Sequence, residues 1–246
     1  MNTYFSVEEA GSFEAFSSSH LIILGMLLFS LLLLYGCRRW FQRPSRSRTG
    51  RYILAGILIL CELSLNIWYV WGKRFDVKDT LPLELCSISL YLCVFMLLFK
   101  SRFIFQIVYF TGIGGALQAI LTPALSYPYP HFRFIEFFLA HFAIILSVLY
   151  MVWVEGFRPT LKSVGITMVF LNILLVLILF INHLTGGNYM FLSHKPETAS
   201  LMDFLGPYPW YIVSLETVAC VLFLLLYMPF AFSATRGKRN KRQLNM

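Results

Sequence analysis

The stretch Leu81–Leu98, LPLELCSISLYLCVFMLL, decides how this chain is to be read. It is long and apolar enough to enter a bilayer, yet Glu84, Cys86, Ser87 and Ser89 stand near its start. An ionisable acid and a thiol in a hydrocarbon segment cost free energy unless they face a partner or a watered cavity. The rest of the chain supplies the context. Its 246 residues are 58% hydrophobic and 13% charged, whereas a soluble domain is about a quarter charged. The expected fold class is therefore an all-α, polytopic membrane protein, a bundle of transmembrane helices forming a single integral membrane domain over residues 1–246.

Seven apolar segments have about the ~20 residues that a bilayer core requires. They cover 18–37, 51–71, 81–99, 103–122, 136–154, 163–183 and 210–232. The fourth is the least regular, because TGIGGA interrupts it; close helix packing is the expected use of Gly112, Gly114 and Gly115. Basic residues set the orientation. Fifteen fall in alternate loops on the side of the C-terminus: six arginines in 38–51, then Lys100, Arg102, Arg158, Lys162 and five residues of the tail between Arg236 and Arg242. Five fall on the other side: Lys73, Arg74, Lys78, Arg133 and Lys195. The N-terminus is expected outside and the C-terminus in the cytoplasm. The net charge of +8 then faces anionic membrane lipid, so no nucleic-acid partner is implied. Trp68, Tyr69, Trp71, Tyr127, Tyr129, Tyr208, Trp210 and Tyr211 mark the outer interface, and Trp40 and Trp153 the inner one.

Other classes are excluded or weakened. The N-terminal twenty residues hold three glutamates and no lysine or arginine, so no signal peptide is expected there. The five cysteines, Cys37, Cys61, Cys86, Cys93 and Cys220, lie in or beside apolar runs, without zinc-finger spacing. A retinal-type pump needs a lysine in the last span, and 210–232 has none. A zinc hydrolase would need His131, His141, His183 and Glu216 to converge; neither a metal nor another cofactor is expected. The 184–209 loop, with its GGN and GPYP turns, has the length to fold over the outer mouth.

The spans place many polar residues at one depth. Counted from the outer boundary, Cys86 is about five residues in, or ~7 Å at the helical rise. His141 lies at nearly the same depth in the fifth span, and Glu216 and Thr217 slightly deeper in the seventh. Asn66 and Gln118 sit four or five residues from the outer ends of their spans, and His183 closes the sixth. Glu62 is nearer mid-membrane, one turn from Asn66 on the same face. The inner halves are cleaner, with Gln106 and Asn172 as the other strays. A polar pocket opening outward or toward the outer leaflet follows.

Each residue has a bland reading. A cysteine in a span is usually a small hydrophobe, and Cys93, two turns below Cys86, reads as packing. A membrane histidine often bonds a neighbouring helix. Glu84 and Cys86, two positions apart, would point about 200° apart on a regular helix. The chemical reading pairs Cys86 with His141 instead: a thiol becomes nucleophilic as thiolate and needs a base. Glu62, Asn66 or Glu216 would orient the imidazole, and an Asn or Gln amide would stabilise an oxyanion. The implied reaction is acyl transfer at an outer-leaflet phospholipid ester, whose linkages lie just below the headgroups.

Five short motifs occur in order: CELSLN with Glu62, LPLELCS with Cys86, FFLAHF with His141, GNYMFLS with Asn188, and GPYPWY before the last span. In this order the chain resembles the YwaF-type integral membrane proteins of bacteria. It is also distantly similar to a eukaryotic multi-span cysteine acyltransferase that builds polyunsaturated ether phospholipids. The resemblance implies a multi-pass protein of the bacterial cell membrane, a lipid substrate, and Cys86 and His141 as the catalytic pair. Two features depart from the acyltransferase: Ser87 stands where a histidine follows its cysteine, and Pro82 lies four residues before Cys86. The alternative functions are a transporter pathway or a headgroup-binding pocket lined by Glu62, Asn66, Glu84, His141 and Glu216. No two-fold repeat supports a transporter.

Overall fold

The computed structural model describes residues 3–8, 11, 13–123, 125–195 and 201–244, with the backbone alone for 3, 201 and 233–244. Its seven α-helices are α1 (Ser18–Phe41), α2 (Pro44–Trp71), α3 (Leu85–Phe99), α4 (Arg102–Leu121), α5 (Phe132–Trp153), α6 (Leu161–Thr185) and α7 (Trp210–Leu244). Among the described residues there is no strand. Among the described residues, six helices are long and apolar enough to cross a membrane. The exception is α3, whose 15 residues rise about 22 Å against a hydrocarbon core of about 30 Å.

Cap chemistry explains where the helices start. Pro44 occupies the first turn of α2, where its missing N–H costs nothing. Ser101 caps α4 through Ile104 N–H, and His131 caps α5 through Arg133 N–H. Thr160 and Ser163 form a reciprocal capping box at α6. These caps shift several expected edges. The arginine-rich loop expected over 38–51 shrinks to Gln42 and Arg43, because α1 runs on through Arg38 and Arg39 and α2 begins at Pro44. The helix of the last span continues to Leu244; the basic side chains of the tail lie outside the described residues.

The largest change concerns the opening stretch. Leu81–Glu84 is not helical: Leu83 N–H turns back to Leu81 C=O, and Glu84 is extended at φ −67°, ψ 149°. Cys86 is therefore the second residue of α3 instead of lying five residues down a helix. The 200° separation expected between Glu84 and Cys86 does not apply, because only one of them is helical.

Helix α4 is the hub of the bundle, packing against α3, α5, α6 and α7. The expected role of its glycines holds. A Cβ on Gly112 would stand 3.2 Å from Ile144 and 3.4 Å from Val148 of α5. One on Gly114 would stand 3.1 Å from Leu222 of α7, and one on Gly115 3.7 Å from Cys86 Sγ of α3. Three neighbours thus approach one small-residue segment, the usual means of close helix packing in membranes.

Two segments cover the end of the bundle where α1 begins, the outer end on the basic-residue count. The N-terminal segment is tied down by Trp68 Nε1–H to Phe5 O at 3.1 Å, Arg74 to Val7 O at 2.9 Å and a His131–Ser6 O bond of 2.9 Å. The α6–α7 loop folds over the bundle, as its length allowed. Tyr189 pins it: its backbone pairs with the Asn182 side chain at 2.9 and 3.1 Å, while its hydroxyl accepts from Leu81 N–H and donates to Val77 O.

Candidate functional site

The polar residues of the half of the bundle where α1 begins separate into two groups. The first lies between α2, α3 and α5. Glu62 Oε1 accepts from Tyr91 OH at 2.7 Å and from Asn66 Nδ2 at 3.0 Å. Arg133 pairs with Glu136 one turn along α5, and the Glu62 and Glu136 carboxylates are close enough to interact electrostatically. The expected Glu62–Asn66 neighbourhood is present. Tyr91 and Glu136 were not anticipated. The Arg133–Glu136 spacing of three was the available signal; Tyr91 gave none, because a phenol inside an apolar run reads as another hydrophobe.

The second group lines a cavity of about 320 Å³ between α3, α4, α6 and α7, roofed by the α6–α7 loop. Glu84, Thr111, Gln118 and Glu216 supply its polar groups, and Gly115, Leu174 and Phe223 are among its apolar ones. Glu84 accepts from Met190 N–H of the roof at 3.2 Å. Gln118 and Glu216, placed at similar depth by the sequence, both line this cavity. Cys86 stands beside this cavity, its Sγ next to Gly115, which is in the wall.

The remaining candidates sit elsewhere. His183 is exposed at the end of α6. Asn188 organises the loop, its Oδ1 accepting from Ser193 and His194 N–H at 3.0 and 3.1 Å. His131, His141, His183 and Glu216 do not form a metal-binding group, and no cluster of three His, Cys, Asp or Glu suited to a metal occurs among the described residues. Cys93 is fully buried in the apolar core, as expected of packing.

Three histidines, His20, His131 and His141, are buried, and their hydrogen bonds distinguish them. His20 Nδ1 accepts from Phe16 N–H at 2.9 Å, which leaves Nε2–H to donate to Ile120 O at 2.8 Å. His131 Nδ1 accepts from Arg133 N–H at 3.1 Å, so Nε2–H donates to Ser6 O at 2.9 Å. Burial, with help from the Arg133 charge, holds His131 below the usual imidazole value despite the Ser6 bond that favours its charged form. Both rings are fully used. His141 differs: Nδ1 meets Phe137 O at 2.6 Å. A carbonyl only accepts, so Nδ1 carries the proton and the lone pair is on Nε2. That nitrogen makes no hydrogen bond among the described residues. No hydrogen bond links His141 to Cys86 either.

Antiparallel apolar helices around a glycine hub, with polar groups gathered toward one end, define a multi-pass helical membrane protein. More specifically, the chain belongs to the TMEM164 family, whose model matches residues 15–227. An uncharacterized protein of Treponema pallidum (strain Nichols) is 26% identical over 235 residues, covering 90% of this chain and 92% of its own length. No solved structure matches.

Proposed function

We propose that the protein is a seven-span lipid acyltransferase of a bacterial cell membrane, with its N-terminus outside, in which Cys86 is the nucleophile and His141 the base. The observation that carries this reading is the setting of Cys86 in the first turn of α3. The Glu84 carboxylate accepts from Met190 N–H and makes no capping bond to α3, so the first N–H groups of the helix are left without an intrahelical or capping partner. A helix N-terminus stabilises a thiolate and offers donors to an oxyanion. The adjacent cavity has an apolar lining suited to an acyl chain.

The register of α4 supports pairing Cys86 with His141. Gly112 faces Ile144; one turn toward the outer end on each antiparallel helix lie Gly115 and His141. A Cβ on Gly115 would stand 3.7 Å from Cys86 Sγ, so by register Cys86 on α3 and His141 on α5 lie at one level of α4. The similarity to the YwaF-type proteins and the eukaryotic cysteine acyltransferase falls on the same two residues.

In the proposed cycle the Cys86 thiol gives its proton to His141 Nε2. The thiolate attacks the ester carbonyl of a phospholipid, a C–S bond forms and the ester C–O bond breaks. His141 returns the proton to the departing lysolipid oxygen. A second lipid hydroxyl then loses its proton to His141 and attacks the thioester. A C–O bond forms, the C–S bond breaks, and the thiolate recovers the proton. The pathway alternative is weaker, because fully buried Ala55 and Leu58 of α2 stand between the outer polar groups and the inner end.

The test uses purified protein and an alkyne-tagged phospholipid. Hydroxylamine-sensitive label on Cys86, absent in Cys86→Ala, is the expected result. An unlabelled wild type that nonetheless transfers acyl chains, with Cys86→Ala equally active, would refute the reading.

A further inference from the structure

At the other end of the bundle, α2, the end of α3 and the α5–α6 corner enclose a second cavity of about 580 Å³. It is unconnected with the Cys86 chemistry. Arg48, Arg51 and Lys100 line it, opposed by one carboxylate, Glu155. Glu155 pairs with Arg51 at 3.1 Å and Lys100 at 2.6 Å and accepts from Ser47 Oγ. Part of this arrangement is structural. Arg51 Nη1 donates to Leu97 O at 2.5 Å, meeting a carbonyl at the C-terminal end of α3, where a cation is favoured.

The structural role leaves charge over. Three cations face one acid, so the cavity carries a net charge of +2 when Glu155 is ionised. Among the described residues Arg48 meets only Tyr52, its Nε–H donating to the hydroxyl at 3.2 Å and its guanidinium 5.5 Å from the ring centroid. Arg51 Nε is buried and, although close to Glu155, makes no hydrogen bond. Lys100 remains 47% exposed. Phe99, Leu98 and Tyr52, all exposed apolar or aromatic surfaces, border the same cavity. A soluble anion would have no use for them; an acyl chain would.

We infer that this cavity binds the phosphate headgroup of an anionic lipid, with Arg48 and Lys100 as its principal contacts and the acyl chains lying along Phe99 and Leu98. Basic pockets between helices at the cytoplasmic interface are suited to such headgroups. Lys100 reaches the site because it ends α3 in the left-handed conformation, φ 51°, which turns the chain sharply into α4.

The experiment measures lipid binding to full-length protein in detergent by native mass spectrometry. Phosphatidic acid is titrated against phosphatidylcholine of the same chains. The wild type is expected to retain the anionic lipid preferentially. Arg48→Gln/Lys100→Gln is expected to weaken that retention roughly thirtyfold, the factor that two basic residues give at an anionic surface. Arg39→Gln/Arg43→Gln removes equal charge from exposed positions outside the cavity and is expected to leave it unchanged. Equal loss in both double variants would overturn the site, as would equal retention of the two lipids. Full competition by millimolar inorganic phosphate would overturn the lipid assignment. If Arg48→Gln/Lys100→Gln fails to fold, each single variant is measured, and unchanged binding in both overturns the proposal.

Discussion

Glu155→Gln removes one charge from the end of the bundle where α2 begins and changes shape hardly at all. The Glu155 side chain is 6% exposed, and Arg51, 3.1 Å away, is 8% exposed. Glutamine keeps an acceptor but leaves the Arg51 guanidinium desolvated without its counter-charge. Breaking one side of a buried pair costs ~3–5 kcal/mol. Lys100 adds little, because solvent screens a partly exposed partner and such pairs contribute up to about 1 kcal/mol. The bond from Arg51 to Leu97 O survives, which favours the lower end, about 3 kcal/mol. For a chain of this size that lowers Tm by about 6–12 °C. Tryptophan fluorescence during heating in detergent at pH 7 reads the shift. The companion variant Arg51→Met/Glu155→Met is expected to recover most of the loss, because exchanging a whole buried pair for apolar groups is often neutral. A shift under about 2 °C in Glu155→Gln, far below the 6–12 °C expected, would refute the account. So would a double variant as unstable as the single.

The same residue gives a pH dependence of known sign. Burial alone would raise the Glu155 carboxyl. Hydrogen bonds from Lys100 and Ser47, with the charges of Lys100 and Arg51, outweigh burial and hold it below the ordinary value of 4.5. A depressed folded value means that the unfolded chain binds the proton more readily. The stabilisation is complete above the unfolded value and is lost as pH falls through the folded one. The Tm gap between wild type and Glu155→Gln should therefore be constant above about pH 5.5 and close as the solution is acidified below 4.5. A gap that widens on acidification would contradict the assignment.

Four other outcomes follow from the geometry. His141→Gln should slow acylation of Cys86 by about 10²–10⁴-fold, the usual share of a general base, while His20→Gln and His131→Gln should lower Tm without slowing chemistry in the folded fraction. Tyr91→Phe should cost about 1–3 kcal/mol through the lost bond to buried Glu62, read as a lower Tm. Gly112→Val should cost about 1–3 kcal/mol by overpacking Ile144 and Val148; Gly165→Val, which meets nothing within 4 Å, should change stability by no more than about 0.5 kcal/mol. Gly115→Val should reduce the labelling of Cys86 by crowding its Sγ, and unchanged labelling would argue against a productive site beside α4.

The helices were legible in the sequence because length and apolarity alone mark a segment for the bilayer. Their edges were less so. Hydropathy stops at the first charge, whereas α2 begins seven residues before its apolar run, carrying Arg46, Arg48 and Arg51 within the helix. The reverse happens at α3, where apolar Leu81 and Leu83 continue the hydropathic signal through a non-helical turn. That error moved Cys86 from a helix interior to a helix N-terminus, a different electrostatic setting for a thiol. The Glu62–Asn66 pair was readable, being one turn apart. The cluster of Arg51, Lys100 and Glu155 was not, because its members come from three corners of the fold and no local spacing connects them.

The histidines carry the same lesson further. All three buried rings lie in or beside apolar segments toward the end of the bundle where α1 begins, and sequence depth could have nominated any of them. What separates them is the direction of one hydrogen bond. A backbone N–H pointing at Nδ1 fixes a ring as a structural clasp, because Nε2–H must then find its own acceptor. A backbone carbonyl at Nδ1 leaves the lone pair on Nε2. His20 and His131 sit at or near helix starts, where spare N–H groups supply the first arrangement. His141 is in its third helical turn, where the N–H groups are committed to the helix and the nearby Phe137 carbonyl supplies the second. Position along the helix therefore sets the tautomer, and the tautomer leaves His141 as the buried imidazole whose Nε2 lone pair meets no hydrogen-bond donor among the described residues.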